Sequence, residues 1–239
     1  MRGEISSGRH SKRHPLDWYV DETWCAEQLA MSLDGFALEK AEGLAIWDPC
    51  CGRGNTLRAA FDRQLPVIGS DKVDNLARGS FLPEDGLPVT FFTRDFLDVR
   101  AAPVDCSIVC NPPYSYINGI AEAFVRHALK LSSRRVCMLL PGKWLAPGKD
   151  VKSWSRRSQL FRNDHPPQAV LHFSERPSMP PGDPIAAMGK RAFRGGMVDF
   201  CWIVWDVKRP TKPGQTRTIW LPPLHRNSEI LSLEEVLRA

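Results

Sequence analysis

Residues 44–63 read LAIWDPCCGRGNTLRAAFDR, and the three parts of this stretch decide the fold. The apolar run 44–48 has strand character and stops at Asp48. A turn with two glycines follows, Gly52 and Gly54, and residues 56–63 have helix-like spacing. Strand, glycine turn and helix in succession make a cradle for a nucleotide-type cofactor. A glycine lets backbone come close to a ligand where a Cβ would collide. Leu57 stands where a dinucleotide fingerprint needs its third glycine, and the G-K-[ST] ending of a phosphate-binding loop is missing. Few phosphate-cradling features remain, so the pattern implies a ribose and a base without a pyrophosphate. That points to S-adenosylmethionine.

Working outward, short apolar segments recur at 66–70 (PVIGS), 88–93 (PVTFFT), 104–110 (VDCSIVC) and 135–140 (RVCMLL). Helix-like stretches lie between them, clearest at 117–131 (INGIAEAFVRHALKL). This alternation predicts parallel strands joined by crossover helices. The second strand ends in Gly69-Ser70-Asp71, where an acid can accept hydrogen bonds from both ribose hydroxyls of an adenosine-type cofactor. Upstream, 16–33 reads as a turn leading into a helix, with Trp24, Leu29 and Leu33 at helical spacing. Downstream, 168–174 and 198–206 have strand character. The stretch between them, RPSMPPGDPIAAMGKRAFRGG (176–196), holds too many prolines for a helix to run through. The expected architecture is a mostly parallel central sheet flanked by helices, an α/β domain of Rossmann-like kind over 16–239. A flexible basic arm over 1–15 precedes it, and 143–200 is the candidate region for substrate-recognition insertions.

The fourth strand runs into VCNPPYSY, residues 109–116. Proline cannot donate to a strand ladder, so the strand must stop abruptly there. An exocyclic amine of a base is a poor nucleophile because its lone pair is conjugated into the ring. Acceptors aimed at its two N–H groups favour a more pyramidal nitrogen and stabilise the positive charge that develops during attack. The side-chain oxygen of Asn111 and the carbonyl of Pro112 suit that task. Pro113 adds no N–H donor, and Tyr114 offers a stacking face for a base swung out of its helix. Methyl transfer is then an in-line displacement whose rate comes largely from alignment.

Together DPCCGRG, GSD, RDFLD (94–98) and NPPY resemble the amino-methyltransferase group of S-adenosylmethionine-dependent enzymes. With the cofactor motif first, NPPY second and a variable basic region last, the order is similar to the gamma arrangement of adenine-N6 DNA methyltransferases. RPSM followed by DFCWIVW (199–205) is similar to small phage-type members. The resemblance covers roughly 16–142 by motif and implies the class I S-adenosylmethionine-dependent methyltransferase fold. It implies catalytic roles for Asn111, Pro112 and Tyr114. Gly52 and Gly54 would approach the carboxypropyl and sulfonium region of the cofactor, and Asp71 the ribose. Asp95 would meet the adenine amino group, with Phe96 packing on the ring. Asp48 would lie near the methionine end or order the turn, with Pro49 and Asn111 also on the cofactor. Arg53 either leans toward the cofactor's carboxylate or faces water. Cys50 and Cys51 depart from the residues common in this turn. Pro49-Cys50 also mimics the nucleophile of cytosine-C5 methyltransferases, but it lies inside the cofactor turn, the wrong place for an attack on a base. The expected activity is methylation of adenine N6 in DNA. The alternatives are cytosine N4, RNA or protein glutamine as acceptor, or a non-catalytic fold relative that only binds nucleic acid.

Composition sets the outer limits. The chain has 239 residues and a net charge of +5. Its apolar runs fall far short of the roughly 18–20 residues of a membrane span, and the basic N-terminus lacks the apolar core of a signal peptide. Seven cysteines without a C-x-x-C pair give no zinc pattern and fit reduced thiols in a cytoplasmic protein. No metal is expected. Cations gather at Arg134, Arg135, Lys143, Lys149, Lys152, Arg156, Arg157 and Arg162, interleaved with Trp144 and Trp154. Arg176, Lys190, Arg191 and Arg194 form a second group. They predict a DNA-facing rim. Within it, Lys143, Trp144, Arg156 and Arg157 join Pro113 and Tyr114 as candidate substrate-binding residues. Recognition that this rim does not supply would come from a partner subunit or a homodimer, or be loose, directed at a short site.

Overall fold

Eight strands make one sheet in a computed structural model that describes residues 17–74, 90–114, 117–146, 156–182, 185, 189–193 and 196–223. In chain order they are β1 (Ala45–Asp48), β2 (Val67–Asp71), β3 (Thr90–Thr93), β4 (Cys106–Cys110), β5 (Arg135–Pro141), β6 (Ala169–Phe173), β7 (Phe200–Asp206) and β8 (Arg217–Leu221). Their spatial order is β3-β2-β1-β4-β5-β7-β6-β8. Every neighbouring pair is parallel except the two that involve β7. The sheet expected from the apolar segments is therefore present, and each expected strand lies at its expected place.

Helices cover both faces, which is why the inner strands are continuous apolar runs rather than alternating ones. One face is covered by α1 (Thr23–Ser32) and α3 (Asn55–Phe61), with α2 (Ala37–Glu42) between them in sequence. Leu29 and Leu57 pack there with Ile46, Val109 and Trp202. The indole N–H of Trp202 donates to the Cys25 carbonyl at 2.8 Å, tying β7 to α1. The other face is covered by α4 (Ile120–Leu131), whose Phe124, Val125 and Ala128 meet Trp47, Ile108 and Met138. After β5, a short α5 (Arg156–Gln159) runs into a π-turn over Leu160–Asp164, and Leu160 and Phe161 join this second core.

Two cations of the expected rim are structural instead. Arg135 is fully buried, and its Nη1 donates to Glu39 Oε2 at 3.0 Å. Ser107 Oγ donates to the other carboxylate oxygen of Glu39 at 2.9 Å. Arg134 pairs with Glu42 at 2.9 Å and with Asp206 at 3.1 Å. Arg135 opens β5 and Arg134 precedes it, at the end of the strands opposite NPPY. Their acidic partners come from α2 and β7, elements distant in sequence, so two of the cations read as a rim are the basic halves of three ion pairs.

β8 is an addition that the sequence did not announce. It extends the sheet parallel to β6, with Ala169 opposite Arg217 and Phe173 opposite Leu221. As an edge strand it keeps only Leu221 buried, and Trp220 stays largely exposed. The arm 1–15 lies outside the described residues, as do Lys149, Lys152, Trp154 and Arg194. The region 143–200 contains the expected strand β6, second from one edge of the sheet.

Candidate active site

The ends of β1, β2 and β4 meet at one rim of the sheet, and a pocket opens there. At the end of β1, Asp48 is buried and accepts the Cys50 N–H at 3.1 Å, which turns the chain. Gly52 follows at φ +49°, and its N–H donates to Asp71 Oδ2 at 3.0 Å. A Cβ on Gly52 would stand 3.1 Å from the indole nitrogen of Trp18, so bare backbone faces the pocket here. Gly54, at φ +82°, begins α3 rather than lining the pocket. Asp71 also accepts the Val73 N–H at 3.2 Å. Asp95 lies one strand further out, ion-paired with Lys72 at 2.8 Å and capping the next turn through the Leu97 N–H at 3.1 Å. Phe96 forms the floor between them, edge-on to Trp47 with ring centres 5.4 Å apart.

The opposite wall comes from a segment that the sequence reading treated as a mere lead-in. Residues 17–21 line the pocket. They are held by residues 180–182, far along the chain: Val20 N–H donates to Pro180 O at 2.9 Å, and Gly182 N–H donates to Trp18 O at 3.1 Å. Glu22 Oε2 accepts the Ser178 N–H at 2.8 Å. A side chain at Gly182 would overlap the indole of Trp18. This clasp carries Asp21, buried, to the mouth of the NPPY loop. Only Gly182 and the two prolines before it hinted at it in the sequence.

Asn111 sits where these walls converge. Its Nδ2 donates to the Tyr19 carbonyl at 3.3 Å and reaches Asp21 Oδ1 at 3.5 Å. Two oxygens facing that atom fix the amide orientation, so Oδ1 is the acceptor on the other side. The Tyr114 hydroxyl donates to that Oδ1. Beneath, Cys50 Sγ donates to the Asn111 carbonyl at 3.3 Å. Pro112 is buried and Pro113 lines the pocket. The Tyr114 ring is half-buried, with its centre 5.7 Å from that of Phe200.

The pocket is acidic. Burial raises Asp21 to about 6, and burial likewise pushes Asp48 well above the ordinary carboxylate range, helped by the charges of Asp21 and Asp71. For Asp95 burial acts upward too, but the Lys72 partner and the Leu97 N–H prevail and its pKa falls. Burial raises the Tyr114 phenol and the Cys50 thiol. Tyr114 therefore remains a donor, and Cys50 remains a thiol rather than a nucleophilic thiolate. Asp48, Cys50 and Cys110 offer ligand atoms within 4.8 Å of one another, and both sulfurs already have partners, Cys50 Sγ the Asn111 carbonyl and Cys110 Sγ the Met138 thioether.

No protein-family model matches the sequence, and no curated protein matches it. Solved structures do. A protein of Listeria monocytogenes assigned to the class I S-adenosylmethionine-dependent methyltransferases superposes with a TM-score of 0.59 at 12% identity, over 91% of this chain and 69% of its own. A protein of Pyrococcus horikoshii assigned as an RNA methyltransferase gives 0.54 at 15% identity, over 84% and 91%. The methyltransferase subunit of a type I restriction-modification system from Streptococcus thermophilus gives 0.51 at 16% identity, over 91% of this chain and 51% of its own. The chain has the class I methyltransferase fold. In that fold the expected cofactor residues Asp48, Pro49, Gly52, Asp71, Asp95, Phe96 and Asn111 line one pocket, with Gly54 just behind it.

The expected substrate residues do not all gather there. Lys143 is exposed at the end of β5. Trp144 is buried against Phe161, 5.3 Å between ring centres, because the second core needs a large side chain under the π-turn. Arg157 lies 5.3 Å over the Trp144 ring and donates to the Ala146 carbonyl at 2.7 Å, closing that core instead of reaching outward. The Arg156 side chain lies outside the described residues. Arg176 pairs with Asp199 at 2.6 Å, beside the NPPY loop. No described helix is long and apolar enough to cross a membrane.

Proposed function

We propose that this chain transfers a methyl group from S-adenosylmethionine to the exocyclic N6 of adenine in DNA. The observation that carries the reading is Asn111, held by Tyr19, Asp21 and Tyr114 at the edge of an acidic pocket with a glycine turn. S-adenosylmethionine fits that pocket in charge: its ammonium and sulfonium are cations, and Asp21 and Asp71 supply carboxylates, with the buried Asp48 ordering the turn between them. The bare backbone of Gly52 leaves space that a Cβ would fill. When bound, the cofactor supplies an electrophilic methyl group.

The protein's own part is positioning. Asp71 and Asp95 would hold the ribose and the adenine amino group, with Phe96 against the ring. Asn111 Oδ1 and the Pro112 carbonyl would accept the two N–H groups of the target amine, so that its lone pair points along the line of transfer. The Tyr114 hydroxyl steadies Oδ1, and its ring with that of Phe200 forms the wall a base would rest on. The fold is shared by a restriction-modification methyltransferase subunit and by a protein assigned as an RNA methyltransferase alike. What supports a DNA substrate is the order of the motifs, cofactor turn before NPPY and basic region last.

Labelled methyl transfer to duplex DNA, single-stranded DNA and RNA, with products digested to nucleosides and identified by mass, tests the proposal. The expected product is N6-methyldeoxyadenosine. Label in N4-methylcytosine or in RNA would keep the chemistry and overturn the substrate. No label in any nucleic acid would overturn the reading itself.

A further inference from the structure

Met197 is 92% exposed, more than any other large apolar side chain among the described residues, and its neighbour Val198 is 45% exposed. Their position is fixed from both sides. Gly196 packs so closely on the backbone carbonyls of Arg176 and Pro177 that a Cβ there would overlap them. Asp199 accepts the Gly142 N–H through its carbonyl at 2.7 Å and the Arg176 guanidinium through its carboxylate at 2.6 Å. The next residue, Phe200, opens β7 and touches the Tyr114 ring. A short segment with anchored ends thus holds an unbranched apolar side chain in water, three residues from the wall of the NPPY site. Solvent exposure of this kind costs free energy that burial in a partner would recover.

The occupant follows from the burial of Asn111. An adenine stacked in a duplex cannot bring its amino group to a half-buried acceptor at the edge of a pocket, so it must leave the stack. Its departure opens an apolar gap next to the site. A flexible, polarisable thioether chain suits such a gap, and apolar wedges between base steps are a known way to hold one open. We propose that Met197, supported by Val198, is the wedge that enters the stack of duplex DNA beside the target adenine. This rests on the function proposed above. Lys143, exposed just past the end of β5, lies on the same side and suits a flanking phosphate.

The test compares the full chain with Met197→Ala and Met197→Leu, on a duplex in which the wild type places its methyl group and on the same strand alone. Met197→Ala is expected to lower kcat/KM on the duplex about tenfold or more, while single-strand turnover stays within about twofold. Met197→Leu should retain most of the duplex rate. An abasic site opposite the target should restore Met197→Ala, because the base then leaves the stack unaided. Equal losses on both substrates, or none, would overturn the wedge and leave the reaction standing. So would a wild type that methylates only single strands. A wild type that methylates no DNA would remove the reading and the wedge together.

Discussion

Asp21 is the residue whose protonation reports on the pocket. Its ordinary pKa is 3.8 and burial raises it to about 6 in the folded chain. The native state therefore binds a proton that the unfolded chain releases, and the stability so gained is full below the unfolded value and lost as pH rises through 6. Without cofactor, Asp21→Asn is expected to exceed the wild type in stability above pH 6, by up to about 3 kcal/mol, as read from urea midpoints. For a cationic ligand the sign reverses: wild-type affinity should rise as pH climbs through 6, and that slope should flatten in the variant. Asn111→Ala removes the acceptor and leaves the glycine turn untouched. Turnover should fall about 10²- to 10³-fold, with a much smaller loss of cofactor affinity. Calorimetric titration beside a methyl-transfer assay separates the two effects.

At the scale of elements, the clasp between 17–21 and 180–182 is the test of how the pocket is closed. Gly182→Ala puts a side chain where the Trp18 indole lies, so the segment must shift. Cofactor affinity should drop while the melting temperature changes little, and Trp18 fluorescence would follow the displacement. A second element-level prediction concerns the buried pair Glu39–Arg135. Glu39→Ala strands a guanidinium between α2 and the sheet and should cost about 3–5 kcal/mol, measured by denaturant unfolding. These elements mark where the sequence was legible. The strands were readable because a parallel sheet covered on both faces makes each one a continuous apolar run, as in RVCMLL. NPPY and the glycine turn were readable because their chemistry is local. Asp21, Glu39 and β8 were not, since each acquires its meaning from a partner more than 45 residues away in sequence. Charge counting failed at Arg134, Arg135 and Arg157 for the same reason: a local window cannot see an acid, or an aromatic ring, that arrives from elsewhere.

For the molecule as a whole, β7 is the part that makes one body of two halves. It pairs antiparallel with β5 over seven residues and with β6 over four, and Trp202 reaches across to α1. A chain ended after residue 141 would leave the apolar β5 as an open edge, and such edges recruit other chains. That fragment, which still contains every sequence motif of the site, is expected to scatter light and to bind no cofactor, whereas the full chain stays monodisperse in the same buffer. The clasp has a consequence in time as well. A ribosome delivers Trp18 early and Gly182 late, and domains fold as their parts emerge. The glycine turn and NPPY are therefore present on a nascent chain well before the wall that retains a ligand. A nascent chain ended before residue 180 is expected to release the cofactor quickly, since the segment 17–21 then lacks its clasp against the pocket.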